Sequence, residues 1–285
     1  MFYCGFGNDY CGQSKDNDVN KAASYVILAF VNTKTDGTVD LDEANFPKNS
    51  FDKWKSQGKK VIISVGGQNG NWAYIFASPT NIKNFINAIK NIITKWQLDG
   101  VDLDIEMYQM TPRAVANMII DMRKAIGTDK LLIVSPECVT VYQGIADYGP
   151  DTPGQAWNYF VNIIRLADDA IDLYQPQAYN NWYDFPGGSL NYLKHVYLNW
   201  RNYKGLMDWM KPIENFKGVA GNKLIMGVLA STSAGGAAYY YQPTVIEQFK
   251  AWLADNKYEL RGFMMWDSHW DQLNGNAISN EVVKK

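Results

Sequence analysis

Eight short apolar or β-branched runs punctuate the chain: Phe2–Gly7, Ser24–Asn32, Lys60–Gly67, Gly100–Glu106, Lys130–Val139, Ile171–Asn180, Lys223–Ser231 and Gly262–Trp266. Several are apolar at nearly every position, as parallel strands covered on both faces must be, and each interval leaves room for a returning helix. Between the runs the period lengthens. Thr80 is placed to cap a helix whose residues Ile82, Phe85, Ile86, Ile89, Ile92, Ile93 and Trp96 fall on one stripe. Thr111 and Pro112 open another, carrying Val115, Met118, Ile119, Met122 and Ile126, and Gly127 closes it. Asn191–Trp200 and Thr244–Leu253 read the same way. Eight strand–helix units predict an α/β protein, a single (β/α)8 TIM barrel. A doubly wound sheet would more usually stop at about five to seven strands and carry a glycine-rich phosphate loop, which the sequence lacks. No linker, charge block or low-complexity stretch divides the chain, so one domain is expected over residues 1–285.

Composition narrows the function. With 285 residues, 47% of them hydrophobic and 20% charged, the chain has apolar material for one large domain or two small ones, which excludes a disordered polymer. Lys plus Arg (27) against Asp plus Glu (29) leaves a net charge of −2, so neither nucleic acid nor an anionic membrane is an expected partner. The longest apolar run, Tyr25–Val31, falls far short of a membrane span, and the N-terminus lacks the basic-then-apolar pattern of a secretion signal. Ten Trp, 18 Tyr and 12 Phe are more than one core readily hides, and flat rings are what a binding surface sets against sugar faces. Three cysteines, Cys4, Cys11 and Cys138, form no complete disulfide framework; Cys4 and Cys11 are spaced to close a small loop, and no zinc-site spacing occurs. Two histidines, His195 and His269, are too few for a site built on several imidazole ligands. Chemistry falls to carboxylates, with no metal or cofactor expected and a monomer as the expected state.

The carboxylates that stand out lie in Asp99-Gly100-Val101-Asp102-Leu103-Asp104-Ile105-Glu106. Strand side chains alternate, so Asp102, Asp104 and Glu106 share one face and Val101, Leu103 and Ile105 the other, with successive members about 6.6 Å apart at Cα. Acids so close raise one another's pKa, and Glu106, last in the column, sits at the C-terminal strand end where barrel active sites lie. An isolated D-x-D-x-E has two plainer readings, a polar face open to water and a metal site. The flanking Val, Leu and Ile suit a buried strand, where an inward acid column costs too much desolvation to be incidental.

This segment resembles the glycoside hydrolase family 18 chitinases and related endo-β-N-acetylglucosaminidases, whose fourth barrel strand carries D-G-x-D-x-D-x-E; Asp99 to Glu106 match every specified position. The family's S-x-G-G appears as Ser64-Val65-Gly66-Gly67, and the likeness extends to Ala29-Phe30, Gln177-Ala178-Tyr179-Asn180 and Met265-Trp266. The resemblance implies that Glu106 is the general acid and then base, and that the substrate's own 2-acetamido carbonyl is the nucleophile, so configuration is retained. It implies that Asp104 orients the acetamido group, that Asp102 shares a proton beneath it, and that Tyr179 holds the acetamido carbonyl. It implies substrate contact at Trp266, as the floor under the −1 sugar, and at Gln177, Phe30 and Asn180; Tyr108, in the segment that follows its strand, is a further expected substrate contact. Ser64, Gly66 and Gly67 are expected to shape backbone rather than touch substrate, and Asp99 to turn the chain into its strand. Trp72, Tyr142, Trp182, Tyr240 and Trp270 follow strands as Tyr108 does and are weaker groove candidates.

Two departures stand out. Asn180 replaces an aspartate common in the family, resembling the plant-type and one bacterial branch, and Glu137 stands where that branch often has glutamine. Residues 232–261 are barely enough for a loop and a helix, leaving no space for the small α+β insertion of some exo-acting members, so a shallow, open groove and endo cleavage are expected. The implied activity is that of a retaining endo-chitinase on N-acetylglucosamine polymers or oligosaccharides. The rivals are an endo-β-N-acetylglucosaminidase acting on N-glycans or peptidoglycan, and a catalytically silent chitin-binding lectin, which would be expected to have lost Glu106. Family habit favours secretion; a first strand starting near Met1 suits a trimmed catalytic domain and a leaderless protein equally.

Overall fold

A computed structural model describes residues 1–5, 14–15, 18–181 and 187–284. The far end of the first predicted strand, Cys11 and Trp182 lie outside the described residues. The strands are β1 (Phe2–Tyr3), β2 (Tyr25–Thr33), β3 (Val39–Asp40), β4 (Lys60–Gly66), β5 (Gly100–Asp104), β6 (Leu131–Val134), β7 (Leu173–Tyr174), β8 (Ile225–Leu229) and β9 (Gly262–Trp266). The order β1-β2-β4-β5-β6-β7 is parallel throughout, and β8 and β9 form a second parallel pair. Single bridges, Tyr174 to Leu224 and Gln177 to Gly227, connect the two sets. Between β9 and β1 the rings of Trp266 and Phe2 meet edge to face, 5.3 Å between centroids. Among the described residues only β3 runs antiparallel, against β2.

The helices are α1 (Lys48–Ser56), α2 (Trp72–Ile75), α3 (Pro79–Trp96), α4 (Pro112–Ile126), α5 (Tyr159–Ala167), α6 (Gly188–Trp200), α7 (Pro243–Asp255), α8 (Ser268–Leu273) and α9 (Ala277–Val283). α4 starts and stops where the sequence predicts: Thr111 Oγ1 accepts the Ala114 N–H at 3.2 Å, and Gly127 ends the helix at φ +79°. α3 corrects the expectation at Thr80. Its cap is Ser78, whose Oγ accepts the Asn81 N–H at 3.1 Å, because Pro79 takes the first helical position and the cap must precede it. Prolines also shorten two predicted strands. β6 ends before Pro136 and β7 before Pro176, although the Gln175 and Gln177 N–H groups still reach the carbonyls of Val134 (2.8 Å) and Pro136 (2.9 Å). Between β8 and β9 the chain forms only a single 3-10 turn, Ala237–Tyr239, and α7.

The alternation of each strand divides the apolar residues into two clusters. Val26, Leu28, Val101, Leu103 and Ile105 face the helices and pack with Phe85, Ile89, Val115 and Ile119. The other cluster draws Phe2, Ile27, Ile62, Ile133, Leu173, Ile225 and Met264 from β1, β2, β4, β6, β7, β8 and β9, and the acids of β5 alternate to that same side. No described helix is long and apolar enough to cross a membrane.

Candidate active site

Register brings the groups around Asp102 together. In the parallel ladder Ser64 of β4 lies beside Asp102, and Ser135 follows two residues after Asp102's partner on β6, Ile133. Ser64 Oγ donates to Asp102 Oδ2 at 2.5 Å and Ser135 Oγ to Oδ1 at 2.6 Å. Ser64 therefore does more than the backbone shaping expected of it. Burial pushes the Asp102 carboxyl up to about 7, against the two hydroxyls, which favour its ionised form.

Asp104, the next inward residue, is also buried, and its carboxyl is raised well above the usual range by burial and then by Glu106 and Asp102. One side-chain amide ties the upper column together: Gln177 Nε2 donates to Asp104 Oδ1 (2.9 Å), Glu106 Oε1 (2.9 Å) and the Ser135 carbonyl (3.1 Å). Glu106, half-buried just past β5, is raised by burial and by Glu137, while hydrogen bonds from Gln177 and Asp104 pull it down. A column of two buried acids and a half-buried third, whose members resist simultaneous ionisation, can hold a proton and pass it upward. Among the described residues no group of His, Cys, Asp and Glu is arranged to hold a metal ion.

A fourth carboxyl stands beside the column. Glu137, half-buried beyond β6, bridges to Gln177 through backbone and accepts a hydrogen bond from the Tyr108 hydroxyl. Burial, then the charge of Glu137, raises the Tyr108 hydroxyl well above its ordinary value, and burial raises Glu137 too. The Tyr179 hydroxyl is raised by burial and then by Asp104 and Glu106, so it lies within their field. Trp266 stacks on Phe30 with centroids 5.8 Å apart and planes 24° apart. Gly67, at φ +75°, lets Phe30 settle there, since a Cβ would stand 2.7 Å from the ring.

The remaining predicted residues are elsewhere. Asn180 is exposed at φ +55°, its Oδ1 accepts the Gly236 N–H at 2.7 Å, and no hydrogen bond joins it to the acids. Trp72 and Tyr142 are buried and offer no groove surface; Trp72 instead donates Nε1–H to the Asp104 carbonyl at 3.1 Å, fixing the end of β5. Tyr240 is half-buried and accepts from Asn274, and half-buried Trp270 packs beside the inner cluster. Asp99, at the opposite end of β5, pairs with Lys55 (2.7 Å) and Lys60 (3.2 Å) and accepts the Val61 N–H, as suits a turn into the strand. Sequence reasoning missed Asp267. This buried carboxyl is pushed up to about 6 by burial, caps α8 through the His269 and Trp270 N–H groups, and acts electrostatically on Tyr179. Its one signal was adjacency to Trp266.

Parallel strands packed against helices, with buried acids running to the C-terminal end of β5, form the candidate active site. The family described as "Glycosyl hydrolases family 18" matches residues 2–238. The chain belongs to that family and is a glycoside hydrolase. It is similar to a chitinase from Enterococcus faecalis, 24% identical over 296 residues, covering 94% of this chain and 78% of that protein. It is similar to chitinase D from Niallia circulans, 26% identical over 79% of this chain but only 48% of that longer protein. The solved structure of a family GH18 chitinase from Chromobacterium violaceum superposes with TM-score 0.77 at 21% identity, covering 99% of this chain and 81% of that one.

Proposed function

We propose that the protein is a retaining endo-chitinase, one catalytic domain over residues 1–285 folded as a closed (β/α)8 barrel. The observation that carries the reading is the acid column of Asp102, Asp104 and Glu106, its upper two members tied by Gln177. Glu106, its proton retained by burial, gives that proton to the glycosidic oxygen as the substrate's acetamido oxygen attacks the anomeric carbon and the leaving sugar departs. An oxazolinium ion and the Glu106 carboxylate result. Asp104 accepts the acetamido N–H and offsets the positive charge; Asp102 takes up or returns the shared proton. Glu106 then removes a proton from water, which attacks the same carbon and restores the acetamido group with net retention. Tyr179 holds the acetamido carbonyl in line, Trp266 on Phe30 floors the sugar, and Gln177 and Tyr108 complete the contacts.

The short connection between β8 and β9 supports an open groove and internal cleavage. Similarity to named chitinases supports chitin or its oligosaccharides as substrate. Cys4 is disulfide-bonded, which supports an extracellular setting, and we take the working unit to be a monomer.

The test is to incubate the N-acetylglucosamine hexamer with the wild type and Glu106→Gln, following product lengths and the first anomer released. Internal products, initially β, with a loss of about 10²- to 10⁴-fold in the variant, are expected. Near-wild-type cleavage by the variant rejects Glu106 as the acid. An intact hexamer with the wild type redirects the reading to N-glycans or peptidoglycan.

A further inference from the structure

Gln177 and Tyr179 stand where the chain has left the regular strand ladder. Pro176 ends β7, and the last ladder-like bonds beyond it run from the Cys138 N–H to the Gln177 carbonyl (3.3 Å) and from the Ala178 N–H to the Gly227 carbonyl (3.0 Å). Among the described residues no backbone N–H reaches the Tyr179 carbonyl. A backbone acceptor in a buried segment needs a partner from elsewhere.

Asn181 supplies it. The left-handed turn at Asn180 (φ +55°), a conformation asparagine tolerates, brings the chain round so that the Asn181 side chain folds back on the segment just traversed. Its Nδ2 donates to the Tyr179 carbonyl (2.5 Å) and to the Gln177 carbonyl (3.0 Å), which uses both hydrogens of the amide. The residue is 1% exposed, and its Oδ1 has no hydrogen-bond partner among the described residues. An idle buried acceptor is a cost, so the amide is kept there for what it donates.

The clamp spans the two residues of this segment that the chemistry uses. Gln177 carries the amide that meets Asp104 and Glu106, and Tyr179 the hydroxyl assigned to the acetamido carbonyl. The neighbouring carbonyls are held from outside: the Tyr241 hydroxyl donates to the Ala178 carbonyl (2.5 Å) and the Tyr239 hydroxyl to that of Asn181. Both tyrosines belong to the connection after β8. With the two alternate carbonyls on one amide, neither Gln177 nor Tyr179 can shift along the backbone without the other, and small misplacements of such groups are expensive in rate.

We infer that Asn181 is a positioning residue for the hydrolysis, holding Tyr179 and Gln177 at their working places by clamping both of their carbonyls. The inference rests on the roles proposed for those two side chains, through which Asn181 acts without touching substrate.

The test compares kcat and KM on the N-acetylglucosamine hexamer for the wild type, Asn181→Ala and Asn181→Leu, each also in a Tyr179→Phe background. The leucine variant keeps the branching at Cγ without donors or the idle acceptor, and decides the matter if the alanine variant does not fold. Either should lower kcat about tenfold with KM within about twofold, since the clamp serves the step in which the acetamido group attacks. In Tyr179→Phe, which has no hydroxyl left to misplace, the further loss should shrink to about threefold or less. An unchanged kcat, a change confined to KM, or an equal loss in both backgrounds overturns the inference, the last because it marks general loosening. A wild type that leaves the hexamer intact refutes the chitinase reading, and the clamp is then decided by solvent exchange of the Gln177 side-chain amide protons, identified by their absence in Gln177→Glu. Exchange about tenfold faster in Asn181→Leu supports the clamp, and an unchanged rate overturns it.

Discussion

Glu106 needs its proton to act, and three neighbours set how long it keeps it. Burial and Glu137 raise its carboxyl; Gln177 and Asp104, through hydrogen bonds, lower it. The acid limb of the mechanism is present while pH stays below the Glu106 pKa and is lost as pH rises through it. Glu137→Gln removes the like charge, so the alkaline limb of kcat/KM should move to lower pH, toward the ordinary glutamate range. An unmoved limb would show that the charge of Glu137 has no part in setting the value. The shared face of Asp102, Asp104 and Glu106 was legible in the sequence because strand alternation has a fixed period. The Ser64 and Ser135 hydroxyls, the Tyr108–Glu137 pair and Asp267 were not. Each depends on which strands lie side by side, in which register, and local pattern does not carry that information.

Among the elements, those with a one-sided apolar stripe and a chemical start signal were the readable ones. α4 has Thr111, Pro112 and Gly127 in order; α3 misleads by two residues because two hydroxyls flank Pro79. Ser78→Ala should therefore cost about 1 kcal/mol in urea unfolding, and Thr80→Ala should stay within about 0.5 kcal/mol. Equal losses for the two variants would reject the assigned cap. α5 escaped notice for a physical reason: it is short, its polar stripe is only Asn162 and Arg165, and Asn158 precedes it in the left-handed region without a side-chain cap to mark its start. α9 likewise starts after a left-handed residue, Asn276. β3 is too short, at two residues, to leave a pattern.

For the molecule as a whole, the spacing of the eight parallel strands was legible, since alternating strand and helix signals recur along the chain, whereas the antiparallel β3 was not. The half-exposed position of Trp209 was not, because exposure of an aromatic residue depends on distant packing. The interior acids also give the whole fold a pH signature. Asp102 is raised from 3.8 to about 7, so between those values the folded chain binds more protons than the unfolded one, and stability falls as pH rises through the interval. Asp102→Asn should flatten that decline in unfolding midpoints measured from about pH 4 to pH 7; an unaltered slope would place its origin elsewhere. The inner cluster has a consequence for descent. Phe30, Tyr179 and Trp266 belong to, or pack upon, the apolar packing that joins the strands, and Phe2 leans on Trp266. A lineage adapting to new glycans could not readily exchange these rings, because each trial would unsettle folding before it altered preference. Divergence should therefore gather at the exposed positions of the connections beyond the strand ends, where substitutions do not reach the interior.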